Sequence, residues 1–263
     1  MSFFELHDLT VGYGKTDVIR GLSLSLEKGT LNGILGANGC GKTTALKAIC
    51  GILPHGGRCT LDGVCLESLS PRQMARLCSY IPQRSGITIS MSALDVVLMG
   101  FNPSLGLLQH PNEDMKRRAA KALAKVGLEE RLNDDYLTLS EGQKQLCILA
   151  RMLVSDAKLL LLDEPESALD FRLRYRMLTA LQDRIAQTGG AALVTLHDGA
   201  LALNHCDRLF LIADGTLHGI LSPKTDPIET METQLSEIFG EITLTRCRDR
   251  SGREHLVMME THT

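Results

Sequence analysis

The sequence predicts an α/β fold, with a mixed sheet core, an antiparallel β subdomain and an inserted helical subdomain. Three observations predict it. The apolar run Leu31 to Leu35 (LNGIL) reads as a buried strand that feeds the Gly-rich loop Gly36 to Thr44 (GANGCGKTT), and Thr44 to Cys50 opens a helix. Lys158 to Asp163 (KLLLLD) and Ala191 to Leu196 are further apolar runs, with a helix from about Asp170 to Gln187 between them. The stretch from about 84 to 155 is helical and interrupts this series of strands.

Each element has its own signal. FFELHDL and VIRGLSLSLE alternate with period 2, as an antiparallel pair does. Lys28-Gly29 is a turn. Gly51 to Gly57 (GILPHGG) is a loop, and RCTLDGVCL reads as a hairpin. Ser70 caps a helix that has Pro71 at its first position. Ser79 to Pro82 is a short strand that ends in Gln83. Ser92 to Met99 and Asp114 to Val126 read as helices, the second with Ala119, Ala122, Leu123 and Val126 on one face. Between them lies a loop rich in Gly, Pro and Asn. Met91, Leu98, Phe101, Leu105, Leu107 and Leu108 make this neighbourhood unusually apolar. They either pack on the helical subdomain or face a partner. Ser140 to Ser155 is a helix. Arg208 to His218 is a hairpin that turns at Asp214-Gly215. After Ser222 come Pro223 and Pro227, a short helix near Leu235, and two strands, Ile242 to Arg246 and His255 to Met259. This divides the chain into a body, 1–222, and a β-rich extension, 223–263, packed on it.

Bulk properties exclude several classes. A chain of 263 residues with net charge −3 has no global basic field for nucleic acid. Trp is absent and aromatic content is 4%, which argues against an RNA-stacking platform. The eight Cys show no C-x-x-C spacing, and no Cys/His cluster resembles a zinc site. They read as reduced, mostly buried thiols of a cytosolic protein. The N-terminus MSFFELHDL has early acids and no basic region, so no signal peptide is expected. No apolar stretch approaches the ~20 residues that span a bilayer.

The chemistry concentrates in a few strings. GANGCGKTT satisfies G-x-x-x-x-G-K-[ST], the phosphate-binding loop of nucleoside triphosphatases. Gly36, Gly39 and Gly41 let backbone N–H groups converge on phosphate. Lys42 can reach β and γ phosphates, and the Thr43 hydroxyl can ligate Mg²⁺. In LLLLDE, Asp163 lies at the end of an apolar strand, where it can hold Mg²⁺, and Glu164 is positioned to polarise an attacking water. LSEGQ begins a helix. Ser140 suits an N-cap and Gly142 permits close backbone approach, which fits either a plain cap or a second anion site.

Taken together, GANGCGKTT, Gln83, LSEGQ, LLLLDEP and His197 resemble, in order and spacing, the ATP-binding subunits of ATP-binding cassette (ABC) transporters over about residues 3 to 222. The expected fold is thus a P-loop NTPase of the ABC-cassette type. The phrases LSPRQMARLCSYIPQ, DVVLMG and LHDGALALNHCDRLFLIADG resemble the importer branch for ferric siderophores, haem and vitamin B12. The resemblance implies roles residue by residue. Tyr13 would stack on adenine, Gln83 would touch Mg²⁺ and the water, and His197 would contact the γ-phosphate. Ser167 to Asp170 would sense a second subunit. The implied nucleotide-binding set is Tyr13, Gly36, Ala37, Asn38, Gly39, Cys40, Gly41, Lys42, Thr43 and Thr44, completed by Ser140, Gly142 and Gln143. The implied catalytic residues are Glu164, His197 and Gln83, with Thr43, Gln83 and Asp163 toward the metal. ATP and Mg²⁺ are the implied cofactors.

The resemblance also implies a head-to-tail homodimer, a transmembrane permease and, indirectly, a substrate-binding protein. The subunit would work peripherally at the cytoplasmic face of the membrane, without nucleic acid. A soluble ABC-type clamp on DNA or ribosomes and an exporter subunit are the competing readings. The chain departs from the family pattern at Glu141, where the signature usually has Gly, and at Glu166, where Thr is usual. Cys40 within the loop is a small filler or an oxidisable thiol.

Overall fold

A computed structural model describes residues 2–106 and 108–260. The chain runs β1 (Phe4–Tyr13), β2 (Thr16–Leu26), β3 (Leu31–Leu35), α1 (Lys42–Ile49), β4 (Gly56–Leu61), β5 (Val64–Cys65), α2 (Pro71–Leu77) and β6 (Cys78–Ile81). It continues through α3 (Ala93–Leu98), α4 (Glu113–Lys125), α5 (Glu141–Val154), β7 (Leu159–Asp163), α6 (Phe171–Thr188), β8 (Ala191–Thr195) and α7 (Gly199–His205). Last come β9 (Arg208–Ala213), β10 (Thr216–Leu221), α8 (Ile228–Phe239), β11 (Ile242–Arg248) and β12 (Glu254–Glu260).

The main sheet has the order β10-β9-β3-β8-β7-β6. It is parallel from β9 to β6, and β10 returns antiparallel beside β9. LNGIL, LLLLD and AALVT are buried at every position, as strands covered on both faces must be. Their register decides the site. Asp163 pairs with Thr195, and Thr195 with Ile34, so β7, β8 and β3 end together at one sheet edge.

The second sheet, β2-β1-β4-β5, is antiparallel. Its inner face (Phe4, Leu6, Ile19, Leu22) packs with Ala45 and Leu46 of α1 in one apolar cluster. That cluster roots the Gly-rich loop in rigid structure. Truncating one of its buried leucines would cost about 2–5 kcal/mol.

Helices α3, α4 and α5 form a layer of their own around Val96, Val97, Phe101, Ala119, Leu123 and Leu146. Leu98 and Phe101 are buried, and Met91 and Leu105 pack against the same cluster. These side chains are therefore core. Leu108 is fully exposed, and Leu107 lies outside the described residues. The Arg118 guanidinium stacks 4.7 Å from the Phe101 ring centre.

Beyond residue 222 the chain forms α8 and the β11–β12 hairpin. Met231, Leu235, Ile242, Leu244 and Leu256 join the main core. Asn204 of α7 fixes the hairpin: its Nδ2 donates to Leu256 O (2.7 Å) and its Oδ1 accepts from Leu256 N (2.8 Å). The sequence pattern names no element at 199–205, because a seven-residue helix shows too little of its period. Among the described residues, no helix is long and apolar enough to cross a membrane.

Candidate active site

The loop from Gly36 to Gly41 joins β3 to α1. Gly41 occupies the N-cap of α1 at φ 107°, a region that side-chain-bearing residues avoid, and no side chain caps the helix. The first backbone N–H groups of α1 therefore face outward at the positive end of the helix dipole. Lys42 is 5% exposed, and its ammonium donates to Gly36 O (2.8 Å) and Ala37 O (3.2 Å). An ammonium has three donors, so one remains for an anion at the loop mouth. Cys40 N donates to Ala37 O (3.3 Å), and the Cys40 side chain is buried. Burial raises its thiol above the ordinary value.

A cavity of about 300 Å³ is lined by Tyr13, Val18, Asn38, Gly39, Gly41, Lys42, Thr43, Thr44 and Glu164. Tyr13 is 54% exposed at its rim, free to offer a ring face. Below it is a tight group of oxygens. Thr43 Oγ1 donates to Asp163 Oδ1 (2.9 Å), and Thr195 Oγ1 donates to the same oxygen (3.0 Å). Tyr80 OH donates to Asp163 Oδ2 (3.4 Å). Burial and the Asp163 charge push the Tyr80 phenol far above its ordinary range, so it stays a donor. A hydroxyl paired with a buried carboxylate is a hard-oxygen set that fits Mg²⁺.

Glu164 follows in the left-handed region, at φ 47°. Such a conformation costs about 1–3 kcal/mol in a residue with a side chain and persists where the surroundings impose it. Here Glu164 N donates to Thr195 Oγ1 (2.8 Å). The carboxylate is bracketed: Gln83 Nε2 donates to Oε2 (2.5 Å), and His197 Nε2 lies 2.7 Å from Oε1. Gln83 therefore sits on Glu164, with no bond to Thr43 or Asp163 among the described residues.

Two residues complete this edge that motif reading assigned no role. Thr195 ties Asp163, Glu164 and β8 together; its signal was a polar residue ending an apolar strand. Glu166 is 2% exposed, and its Oε1 accepts from His197 N (2.9 Å). Its Oε2 has no hydrogen-bond partner among the described residues, and desolvation raises its carboxyl above the ordinary value.

Ser140, Gly142 and Gln143 do not line the Lys42 cavity. They form the start of α5, closed by a capping box: Gln143 N donates to Ser140 Oγ (3.3 Å), and Ser140 N donates to Gln143 Oε1 (2.9 Å). A Cβ on Gly142 would lie 2.9 Å from Ala168 O, so α5 begins hard against the 167–170 turn. The Glu141 side chain is 79% exposed and pairs with Lys144 (2.8 Å). It lines a different cavity, of about 550 Å³, with Gln83, Ser85 and Ser167.

The family model described as ABC transporter matches residues 19–167. The chain belongs to the ABC transporter family. It is an ATP-binding and ATP-hydrolysing subunit, as the loop, the Asp163-Glu164 pair and that match together require. It is 36% identical to a "Hemin import ATP-binding protein HmuV" of Pseudomonas putida, over 93% of this chain and 95% of that one. It is 33% identical to a "Probable iron chelatin transport ATP-binding protein" of Helicobacter pylori, over 89% of this chain and 92% of that one. The fold matches a bacterial ABC transporter cassette solved as a dimer, with TM-score 0.76 and 23% identity, covering 84% of this chain and 98% of that one.

Proposed function

We propose that this chain powers import of an iron chelate, haem or cobalamin, as the ATPase of a transporter at the cytoplasmic face of a membrane. The catalytic part rests on one observation: Glu164 is bracketed by Gln83 and His197 beside the Thr43–Asp163 pair. Lys42 and the N–H groups of α1 hold the phosphates, and Tyr13 carries the base. Thr43 and Asp163 would hold Mg²⁺, which when bound would neutralise phosphate charge. Glu164 takes the proton of the attacking water, and Gln83 and His197 keep its carboxylate aimed. Two copies meet head to tail, so that Ser140, Gly142 and Gln143 of one cover the ATP of the other. A permease carries the closure across the bilayer. The names of the haem and iron-chelate relatives support the cargo class, as do the importer-like phrases around Gln83 and His197.

The test is uptake. Cells expressing the chain with its cognate permease should accumulate labelled haem, a ferric siderophore or cobalamin, and Glu164→Gln should abolish uptake with the complex still assembled. An active ATPase that supports uptake of none of the three overturns the cargo. Undiminished turnover in Glu164→Gln overturns the base.

A further inference from the structure

Outside the nucleotide edge, the loop after α1 and the β4–β5 hairpin bring unlike donor atoms to one point. His55 lies in that loop, Cys59 in β4, Cys65 in β5, and Glu67 in the short turn that follows. The ligand atoms of His55, Cys59 and Glu67 lie within 4.8 Å of one another. Among the described residues this is the one such group of His, Cys and carboxylate side chains. Cys59 is fully buried, and the His55 side chain is 9% exposed against 30% for Glu67, which leaves an approach on the carboxylate side.

The imidazole is oriented. His55 Nδ1 lies 3.1 Å from Gly56 O. A carbonyl only accepts, so Nδ1 carries a proton, which in the neutral ring leaves Nε2 as the lone-pair nitrogen. Nε2 faces Glu67 Oε1 at 3.9 Å, too far for a hydrogen bond. A ring N–H held by a backbone carbonyl is the arrangement that fixes metal-ligating histidines. A second thiol stands beside this group but outside the 4.8 Å set: Cys65 Sγ donates to Glu67 Oε2 (3.0 Å).

We infer that His55, Cys59 and Glu67, with Cys65 turned in as a fourth ligand, form a binding site for one divalent cation of the zinc class. Imidazole, thiolate and carboxylate are the ligand types zinc takes, and the sulfurs select against Mg²⁺ and Ca²⁺. With Zn–ligand bonds of about 2.0–2.3 Å, tetrahedral ligand atoms stand about 3.5 Å apart, so His55, Cys59 and Glu67 close by roughly 1 Å, and Cys65 has to turn in from outside that set. Each ligating thiol loses its S–H proton to water and gives the sulfur lone pair to the ion. The bound ion would tie the loop that leaves the P-loop helix to the antiparallel sheet.

The test uses the full-length, nucleotide-free protein, stripped with a chelator and titrated with Co²⁺, then Zn²⁺. A thiolate-to-cobalt charge-transfer band with tetrahedral visible absorption should saturate at one equivalent and vanish as Zn²⁺ displaces the probe. His55→Ala and Cys65→Ser should each weaken Co²⁺ at least about tenfold at an unchanged melting temperature. Cys247→Ser, which removes the exposed thiol, should leave the band intact. Absence of a thiolate band overturns the site, and so does unchanged affinity in His55→Ala. Unchanged affinity in Cys65→Ser overturns the fourth ligand. His55→Ala leaves Cys59 in place, so the outcome does not depend on how well a variant of that buried thiol folds.

Discussion

The starts of α1 and α5 have similar dipoles and opposite endings. The α1 start has Gly41 as its cap, no side chain across it, and a buried ammonium beside it. The α5 start is closed by the Ser140–Gln143 box and carries Glu141 in its first turn. One end has donors and charge waiting for an anion. The other has tied its cap donors to its own side chains and carries an exposed carboxylate, paired with Lys144, in its first turn. On the proposed head-to-tail pairing, a single chain would hold one ready phosphate site and one half-site that exchanges internal bonds for intermolecular ones.

Breaking the ready site should have the largest effect. Lys42→Ala removes a buried ammonium whose charge-assisted bonds are worth about 1.5–3 kcal/mol each, so ATP affinity should fall roughly a hundredfold in equilibrium titration. Unchanged affinity would remove Lys42 from the site. Glu164→Gln should cut turnover about 10²–10⁴-fold while ATP binding persists. Gel filtration with ATP and Mg²⁺ should then show a trapped dimer. Wild-type hydrolysis by a monomer would sink the assignment.

The closed site should respond more weakly. Ser140→Ala opens the box and should cost about 1 kcal/mol of stability, read as a lowered midpoint in urea. ATP binding by the monomer should be untouched and ATP-driven dimerisation weakened. Loss of monomer binding would mean that the two helix starts are not separate sites. Glu141→Gly removes one carboxylate and its Lys144 pair. Turnover should rise a few-fold at most, more at low salt than at high salt, because the effect acts through exposed charge. A fall in turnover would show that Glu141 serves the site rather than opposing it.

The smallest effect is a pH dependence at the ready edge. Burial raises the Glu166 carboxyl above its ordinary 4.5, so the folded chain binds its proton more tightly than the unfolded chain does. That stability is fully present below 4.5 and is lost as pH rises through the folded value. Glu166→Gln should flatten the fall of urea midpoint with pH. An equal slope in both proteins would reject the assignment.

Much of the fold is legible because its signals are local. Alternation in β1 and β2, the unbroken apolar runs of β3, β7 and β8, and the Ser70 and Ser140 caps each lie within a few residues. The core role of Leu98 and Phe101 was not legible, because it depends on α4 and α5 arriving from elsewhere in the chain. Glu166 was also out of reach as a site residue, and the polar end of β8 marked Thr195 without naming its partners, since in both cases a partner lies about thirty residues away. His55, Cys59, Cys65 and Glu67 follow no familiar metal spacing, and only a hairpin folded onto a loop makes them neighbours.

By itself the sequence determined a phosphate loop and a strand-end carboxylate pair, each set by residue type and short-range order, while Gln83 and His197 stood out only through the resemblance to a family. The tertiary structure decided what those groups touch. Parallel register brings Asp163 level with Thr195. The fold also sets Glu164 between Gln83 and His197 and leaves Ser140 outside the Lys42 cavity. Register and packing are sums over distant contacts, so no short window of sequence contains them.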